Sequence, residues 1–375
     1  MFSPFDQRMM QRAIELADRG RYTTHPNPRV GCIVVQGEAI VGEGFHQTWG
    51  EPHAEPIALN AAGAAARGST VYVTLEPHSY QGRTPPCTDA LIRAGVARVV
   101  CGTLDPNPKV HGNGVRQMAD AGIKVETGLL KARVRELNLG FEKRMTTGRP
   151  RVIVKIAASL DGRIALANGE SRWITGEQAR ADVHRLRAEA SAVLTGIDTV
   201  LADDPQLTVR DPQIDTRGRQ PLRVVLDSKG RMPSTARMLS EPGETLVLTG
   251  SAQASAAVAA AGAKVVVTPL DSLGHLDLDH VLQELGRRQC NDVLVEAGST
   301  LAGRLIDLRL ADELIVYFAP VLLGPQARPM VQLPQIERLA DRVQFDLHDQ
   351  AVLGSDVRLV LRPLAPSSDR SPDHR

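Results

Sequence analysis

The chain has little of several things, and each shortage excludes something. Aromatic residues fill only 3% of its 375 positions, too few for the stacking platforms that bind single-stranded nucleic acid. Four cysteines (Cys32, Cys87, Cys101 and Cys290) show no paired spacing. No disulfide framework is expected, and a reducing cytoplasm is the natural home. Neither sign of charge is in excess: 44 Lys and Arg face 43 Asp and Glu, a formal net charge of +1. That balance argues against a protein that coats nucleic acid, while leaving room for a local basic pocket around one phosphate. No apolar run approaches the length of a membrane span, and Met1-Phe2-Ser3-Pro4 does not open a leader with a basic region and an apolar core. Internal repeats are absent as well.

What is present is long enough for two domains, each with its own core. The most informative stretch pairs His53-Ala54-Glu55 with Glu76-Pro77-His78 and Pro85-Pro86-Cys87. Each part alone reads blandly: His-x-Glu is common on helix surfaces, and a lone Cys is usually a buried apolar residue. Together they are the layout of a zinc deaminase. Three side chains would hold Zn²⁺ and leave a fourth position to water, made acidic by the metal. His53 and Cys87 are the evident ligands. The third falls in Glu76-Pro77-His78, which makes it His78. Glu55 is expected to carry the proton from the nucleophile to the departing amine.

Read in order, the first half alternates helix and strand. Ser3-Pro4 starts a helix that repeats Phe5, Met9, Ala13 and Leu16 to Gly20. Thr24 to Pro28 is a proline-pinned loop. Strands are predicted at 30–35, 38–46, 70–74, 96–101 and 123–126, with helices at 53–66, 86–95 and 114–121. One further helix is predicted through Val134, Leu137 and Phe141. Cys32 falls in a strand and is assigned to the core. Domain boundaries follow at 1–146 and 150–364, joined by Thr146-Thr147-Gly148-Arg149-Pro150, with 365–375 expected to be a disordered tail rich in Ser, Pro, Asp and Arg.

The second half also alternates. Strands are predicted at 151–160, 191–195, 222–227, 245–249, 264–267, 292–296, 313–319, 342–348 and 351–362, and helices at 176–189 and 278–288. Both halves are therefore α/β. Gly298-Ser299-Thr300-Leu301-Ala302-Gly303 joins a strand to a helix, and its backbone N–H groups suit a phosphate. A merely tight turn is an equal reading, since the dinucleotide fingerprint is missing. Lys155 interrupts an apolar strand, which points either to the site or to a solvent-facing edge position.

Taken together, the motifs resemble one family: the bifunctional riboflavin-biosynthesis deaminase/reductases. The resemblance rests on Pro26-Asn27-Pro28-x-Val30-Gly31, Gly42-x-Gly44-x-His46, His53-Ala54-Glu55, Gly82-Arg83-Thr84-Pro85-Pro86-Cys87, Ala158-Ser159-Leu160-Asp161-Gly162, Asp203-Asp204-Pro205-x-Leu207-Thr208 and Glu296-Ala297-Gly298. It runs from about Phe5 to about Leu361.

The resemblance implies a cytidine-deaminase-like first domain and a dihydrofolate-reductase-like second domain that uses NADPH. It puts Asn27, His46 and the Tyr80 position on the deaminase substrate, with Arg83 near its phosphate. In the reductase it puts Ser171, Arg187, Leu207, Arg210 and Glu296 on substrate and makes Lys155 catalytic. The two arginines offer forked donors to a phosphate. NADPH would lie against Ala157, Trp173, Thr199, Asp203, Ser228 and the turn Gly298 to Gly303 with Arg304. The implied substrates are small pyrimidine ribosyl phosphates.

This sequence departs from the family pattern twice. His78 stands where the family has a ligand Cys, and Tyr80 where it has a His. Two alternatives therefore stay open at this stage. One is a reductase whose first domain is only structural; the other is a base deaminase acting on nucleic acid, against which charge and aromatic content count. Oligomeric state is not set by the sequence, and a homo-oligomer is left open.

Overall fold

A computed structural model describes residues 2–364 apart from Arg83. The Arg83 assignment and the expectation for 365–375 therefore lie outside the described residues. The chain divides into two compact units, Met1–Pro150 and Arg151–Arg375. Among the described residues no helix is long and apolar enough to cross a membrane.

The first unit runs α1 (Pro4–Asp18), β1 (Gly31–Gln36), β2 (Ala39–Phe45), α2 (Ala54–Ala62), β3 (Thr70–Leu75), α3 (Cys87–Ala94), β4 (Arg98–Thr103), α4 (Asn113–Asp120), β5 (Lys124–Thr127), α5 (Lys131–Glu136) and α6 (Leu139–Thr147). Helix α1 begins where Ser3 closes a capping box with Asp6. The sheet order is β2-β1-β3-β4-β5. β1 is antiparallel to both β2 and β3, whereas β3, β4 and β5 are parallel. Two cores lie on its two faces, one around α2 and α3 and the other around α1. Cys32 sits at full burial in the first of these.

Two glycines set the packing that matters for the site. A Cβ on Gly42 would stand 2.1 Å from the Ala58 carbonyl oxygen, and one on Gly44 would stand 2.4 Å from that of Ala54. Only glycine lets α2 lie this close on β2. The Gly42-x-Gly44-x-His46 motif thus delivers the start of α2 beside His46.

The second unit runs β6 (Arg151–Ser159), β7 (Arg163–Ala165), α7 (Glu177–Glu189), β8 (Ala192–Gly196), α8 (Ile197–Asp203), β9 (Leu222–Leu226), β10 (Thr245–Thr249), α9 (Ala256–Ala260), β11 (Lys264–Val267), α10 (Leu278–Arg287), β12 (Asp292–Glu296), α11 (Ser299–Asp307), β13 (Glu313–Ala319), β14 (Arg328–Pro329), β15 (Phe345–Leu353) and β16 (Asp356–Pro363). Its nine-stranded sheet has the order β11-β10-β9-β8-β12-β6-β13-β16-β15. Every pairing from β11 to β13 is parallel, and β16 and β15 close one edge antiparallel. β6, first in the unit, lies between β12 and β13. The chain therefore reverses its direction across the sheet there, which is where α/β folds bind ligands at strand carboxyl ends.

Two expectations need correction, and one alternative is ruled out. The helix through Val134, Leu137 and Phe141 is two helices. They part at Asn138, whose side chain accepts from the Arg29 N–H at 2.8 Å and donates to the Arg29 carbonyl at 2.9 Å. The last two strands turn at Gly354, where φ is +66°, and not near 349, so 342–344 lie outside the first of them. Lys155 is not on an edge: β6 is an interior strand and the side chain is only 15% exposed. The short strand β7 and the helix α8 carry no clear periodicity and are not predicted from the sequence.

Candidate functional sites: a metal centre and a reductase cleft

In the first unit the site gathers at two helix starts and one strand end. His53 is the residue before α2, Cys87 opens α3, and His78 follows the carboxyl end of β3. The ligand atoms of His53, His78 and Cys87 lie within 4.8 Å of one another. Cys87 Sγ is 3.4 Å from His53 Nδ1, and the His53 and His78 ring centroids are 4.7 Å apart. Both ring nitrogens of His78 are buried without a hydrogen-bond partner. Buried polar atoms are rarely left so, and a cation between the three donors would take one of the two as its ligand. Two imidazoles and a thiol are an ordinary zinc set. The residues fit the metal.

Burial keeps the imidazoles neutral, the form that ligates. It pulls His53 down to about 3, helped by His78 and His46. Burial also lowers His78, and it pushes the Cys87 thiol well up. Glu55, in the first turn of α2 and 3% exposed, is pushed up to about 7 by burial, and Cys87 hydrogen-bonds to it. Beside this cluster, Asn27 Nδ2 is 3.1 Å from His46 Nε2, and His46 Nδ1 is 3.2 Å from the Pro52 carbonyl. His46 meets His53 edge-on at 5.1 Å. Tyr80 is 41% exposed and stands edge-on to His78 at 5.8 Å. Thr84 was not singled out in the sequence; its Oγ1 lies 3.4 Å from His53 Nε2. A groove of about 580 Å³ between α2 and α3 reaches the same His53 and Cys87.

In the second unit a cleft of about 610 Å³ opens at the carboxyl ends of β6 and β12. Ala157, Ser171, Trp173, Thr199, Asp203, Leu207 and Arg210 line it, together with Lys155, Arg187 and Glu296. Glu296 is its electrostatic centre. Lys155 Nζ is 3.3 Å from Oε2, and Arg187 forms a fork, Nε to Oε1 at 2.5 Å and NH2 to Oε2 at 3.0 Å. Burial alone would raise this carboxyl, but Arg187 and then Lys155 outweigh it and hold it down at about 2. The remaining terminal nitrogen of Arg187 donates to the Thr208 carbonyl at 3.1 Å. Arg187 is thus engaged by a carboxylate, a different setting from a guanidinium standing open for phosphate. Arg210 is held less tightly, through Thr208 Oγ1 at 2.9 Å.

A smaller cleft of about 190 Å³ adjoins along Thr199 and Gly298, with Ser228, Thr300, Leu301, Arg304 and Arg231 on its walls. Gly298 caps α11. Neither cleft is lined by Ser299, Ala302 or Gly303. Ala302 is 1% exposed, and a Cβ on Gly303 would stand 1.9 Å from the Gln332 carbonyl oxygen, so this glycine serves helix packing. His184, Arg237 and Tyr317 line the main cleft and were missed. His184 stands one turn before Arg187 on α7, a spacing that could have flagged it. Arg237 comes from an irregular segment with no local signal.

Comparison with known proteins agrees with these two sites. Residues 3–103 match the cytidine and deoxycytidylate deaminase zinc-binding region, and residues 150–359 match the RibD C-terminal domain. The riboflavin biosynthesis protein RibD of Escherichia coli (strain K12) is 50% identical over 365 residues, covering 95% of this chain and 99% of that protein. A structure of Acinetobacter baumannii RibD superposes with a TM-score of 0.90 at 47% identity, covering 96% of this chain and 99% of that one. The structure of a Thermotoga maritima diaminohydroxyphosphoribosylaminopyrimidine deaminase/5-amino-6-(5-phosphoribosylamino)uracil reductase does so with a TM-score of 0.84 at 36% identity, covering 96% and 99%. With a deaminase-type His/Cys cluster in one unit and a carboxylate-centred cleft in the other, the chain belongs to the RibD family of bifunctional riboflavin-biosynthesis deaminase/reductases.

Proposed function

We propose that the first unit hydrolytically deaminates 2,5-diamino-6-ribosylamino-4(3H)-pyrimidinone 5′-phosphate and that the second reduces the ribosyl chain of the product to ribityl with NADPH. The observation that carries the first half is the convergence of His53, His78 and Cys87 around orphaned ring nitrogens, with Glu55 buried alongside. Zinc, which these three residues would hold, would supply Lewis acidity to a water molecule. Glu55 takes a proton from the attacking water as its oxygen bonds to the amine-bearing carbon, and returns one to the nitrogen as the C–N bond breaks and ammonia leaves. Asn27 and His46 orient the pyrimidinone, and His46 is itself fixed through the Pro52 carbonyl. Tyr80 contributes a hydroxyl at the rim, which donates and accepts through one oxygen where an imidazole would do so through two separate ring nitrogens.

In the second unit Lys155 and Glu296 occupy the centre of the cleft. Lys155 donates a proton as the sugar ring opens, and Glu296 holds the ammonium at the point of need. Arg210 binds the substrate phosphate. NADPH bound in this cleft would supply the hydride for C1′, while the protein supplies placement and charge. Ala157, Trp173, Thr199, Asp203, Ser228, Gly298, Thr300, Leu301 and Arg304 surround the volume we assign to it. Four buried cysteines outside any disulfide suit a reducing compartment, and we assign the chain to the cytoplasm.

Purified protein given the pyrimidinone phosphate tests the reading when ammonia release and NADPH oxidation are followed separately. Both signals are expected, ammonia first. NADPH oxidation on deaminated substrate without any ammonia release from the diamino compound would reduce the first unit to a structural part.

A further inference from the structure

Glu76 has no part in the chemistry above, yet its charged side chain is only 3% exposed. It lies two residues before His78. Its Oε2 accepts from the N–H groups of Asp105 at 3.1 Å and Gly112 at 3.0 Å, and its Oε1 accepts from that of Val115 at 3.1 Å. Two of these donors belong to the start of α4, whose first N–H groups have no partner within the helix. The fit is close. A Cβ on Gly114 would stand 2.3 Å from the Pro77 carbonyl oxygen, so α4 rests directly on the chain that leads into His78.

The same helix grips the other ligand segment. Thr88, fully buried next to Cys87, donates to Gln117 Oε1 at 2.7 Å, and Gln117 Nε2 donates to Asp89 Oδ1 at 3.1 Å. Between the two ligands the chain itself gives less control. The Cys87 N–H donates to the His78 carbonyl at 3.0 Å, which fixes how far apart the backbones are. That pivot leaves open the angle between the extension of β3 and the axis of α3. α4 touches both segments and supplies no ligand.

We infer that Glu76 and Gln117 make α4 a brace that sets the angle between the His78 and Cys87 segments, and that both are positioning residues for the metal centre. The inference rests on the reading that His53, His78 and Cys87 hold zinc. Outer groups that orient ligands in this way typically carry a 10–100-fold share of metal affinity. A purely structural helix cap would lower stability and leave affinity alone.

The test uses the full chain and measures zinc affinity by chelator competition beside the chemical unfolding midpoint. Four proteins are compared: wild type, Glu76→Gln, Gln117→Leu and Asp6→Asn. The last removes a buried carboxylate of the same unit from a network with Tyr72 and Arg98 that touches neither ligand segment. In Glu76→Gln an amide faces N–H groups that need an acceptor. We expect Glu76→Gln and Gln117→Leu each to weaken zinc binding about 10–100-fold. Asp6→Asn should lower the midpoint while zinc affinity stays within about twofold. Wild-type affinity in both Glu76→Gln and Gln117→Leu overturns the brace, as does equal weakening in Asp6→Asn. If Glu76→Gln does not fold, Gln117→Leu decides alone, because its side chain is only partly buried. A wild-type chain that binds no zinc overturns the metal reading beneath, a result distinct from the others.

Discussion

Lys155 and Glu296 are direct register partners on the adjacent parallel strands β6 and β12, and their side chains meet at 3.3 Å, mid-strand in β6 and at the carboxyl end of β12. An ammonium and a carboxylate this close, with Arg187 forked onto the same carboxylate, form one electrostatic unit. Glu296 ordinarily titrates at 4.5, and in the folded protein it is held down at about 2. A depressed carboxyl contributes stability that is present above its unfolded value and lost as pH falls through the folded one. The second unit should therefore lose stability between pH 4.5 and pH 2. Glu296→Gln should flatten that part of the curve. Denaturant unfolding at constant salt across this range checks it, and parallel curves for the two proteins would count against the cluster.

Arg187 and Arg210 should behave differently although both line the cleft. Arg187→Met leaves Glu296 buried with only Lys155, and breaking such a pair costs about 3 kcal/mol, the low end of the usual range. The loss should appear as a lower unfolding midpoint together with a lower kcat. Arg210→Ala should instead raise KM for the phosphorylated substrate by about 10–100-fold, the worth of one charge-assisted contact at about 1.5–3 kcal/mol. NADPH affinity should hold within about twofold, read by fluorescence titration. Equal loss of NADPH binding in Arg210→Ala would mean the wrong anion has been assigned to it.

The contrast between these arginines shows what the sequence could and could not convey. Arg187 is 109 positions from Glu296, and no local pattern announces that the two meet. Its guanidinium chemistry suited a phosphate equally well. By contrast, the metal centre was legible because each member sits at the start or end of an element with its own punctuation. Pro52 precedes His53, Pro77 precedes His78, and the Pro85-Pro86 pair precedes Cys87. The split of one predicted helix at Asn138 was hidden for the opposite reason. The side chain is committed to the Arg29 backbone, far away in sequence. Glu76 was passed over because a carboxylate next to a proline carries no signal of the three backbone donors around it.

Loss of Glu55 should separate the two activities. Its carboxyl is the proton carrier we propose for the first site, and such groups contribute about 10²–10⁴-fold. Glu55→Ala is expected to cut ammonia release by at least that lower figure. NADPH oxidation on the already deaminated substrate should continue at the wild-type rate, since the units Met1–Pro150 and Arg151–Arg375 have separate cores. A still-folded Glu55→Ala chain that loses both activities would break the two-site reading.

His78 carries the prediction that is particular to this chain. A ligand lost by drift would most simply become apolar, whereas His78 retains a donor whose two ring nitrogens lie buried and unpartnered beside His53 and Cys87. Left empty, the site would hold those nitrogens at a cost of roughly 1–3 kcal/mol each, as unsatisfied buried groups do. A bound cation removes that cost for the one nitrogen that ligates it. Exchanging a thiolate for a neutral imidazole makes the centre more positive by one charge, which favours deprotonation of a bound water, while the affinity of a second soft ligand is given up. Metal analysis of three proteins decides the matter. Wild type and His78→Cys are expected to carry about one zinc per chain, as a three-ligand catalytic site should. His78→Ala should lose it on dialysis against a mild chelator. Its NADPH oxidation should be untouched, showing that the chain is still folded. Zinc retained by His78→Ala at the wild-type level would make His78 a bystander and leave the metal to His53 and Cys87 with some other third donor.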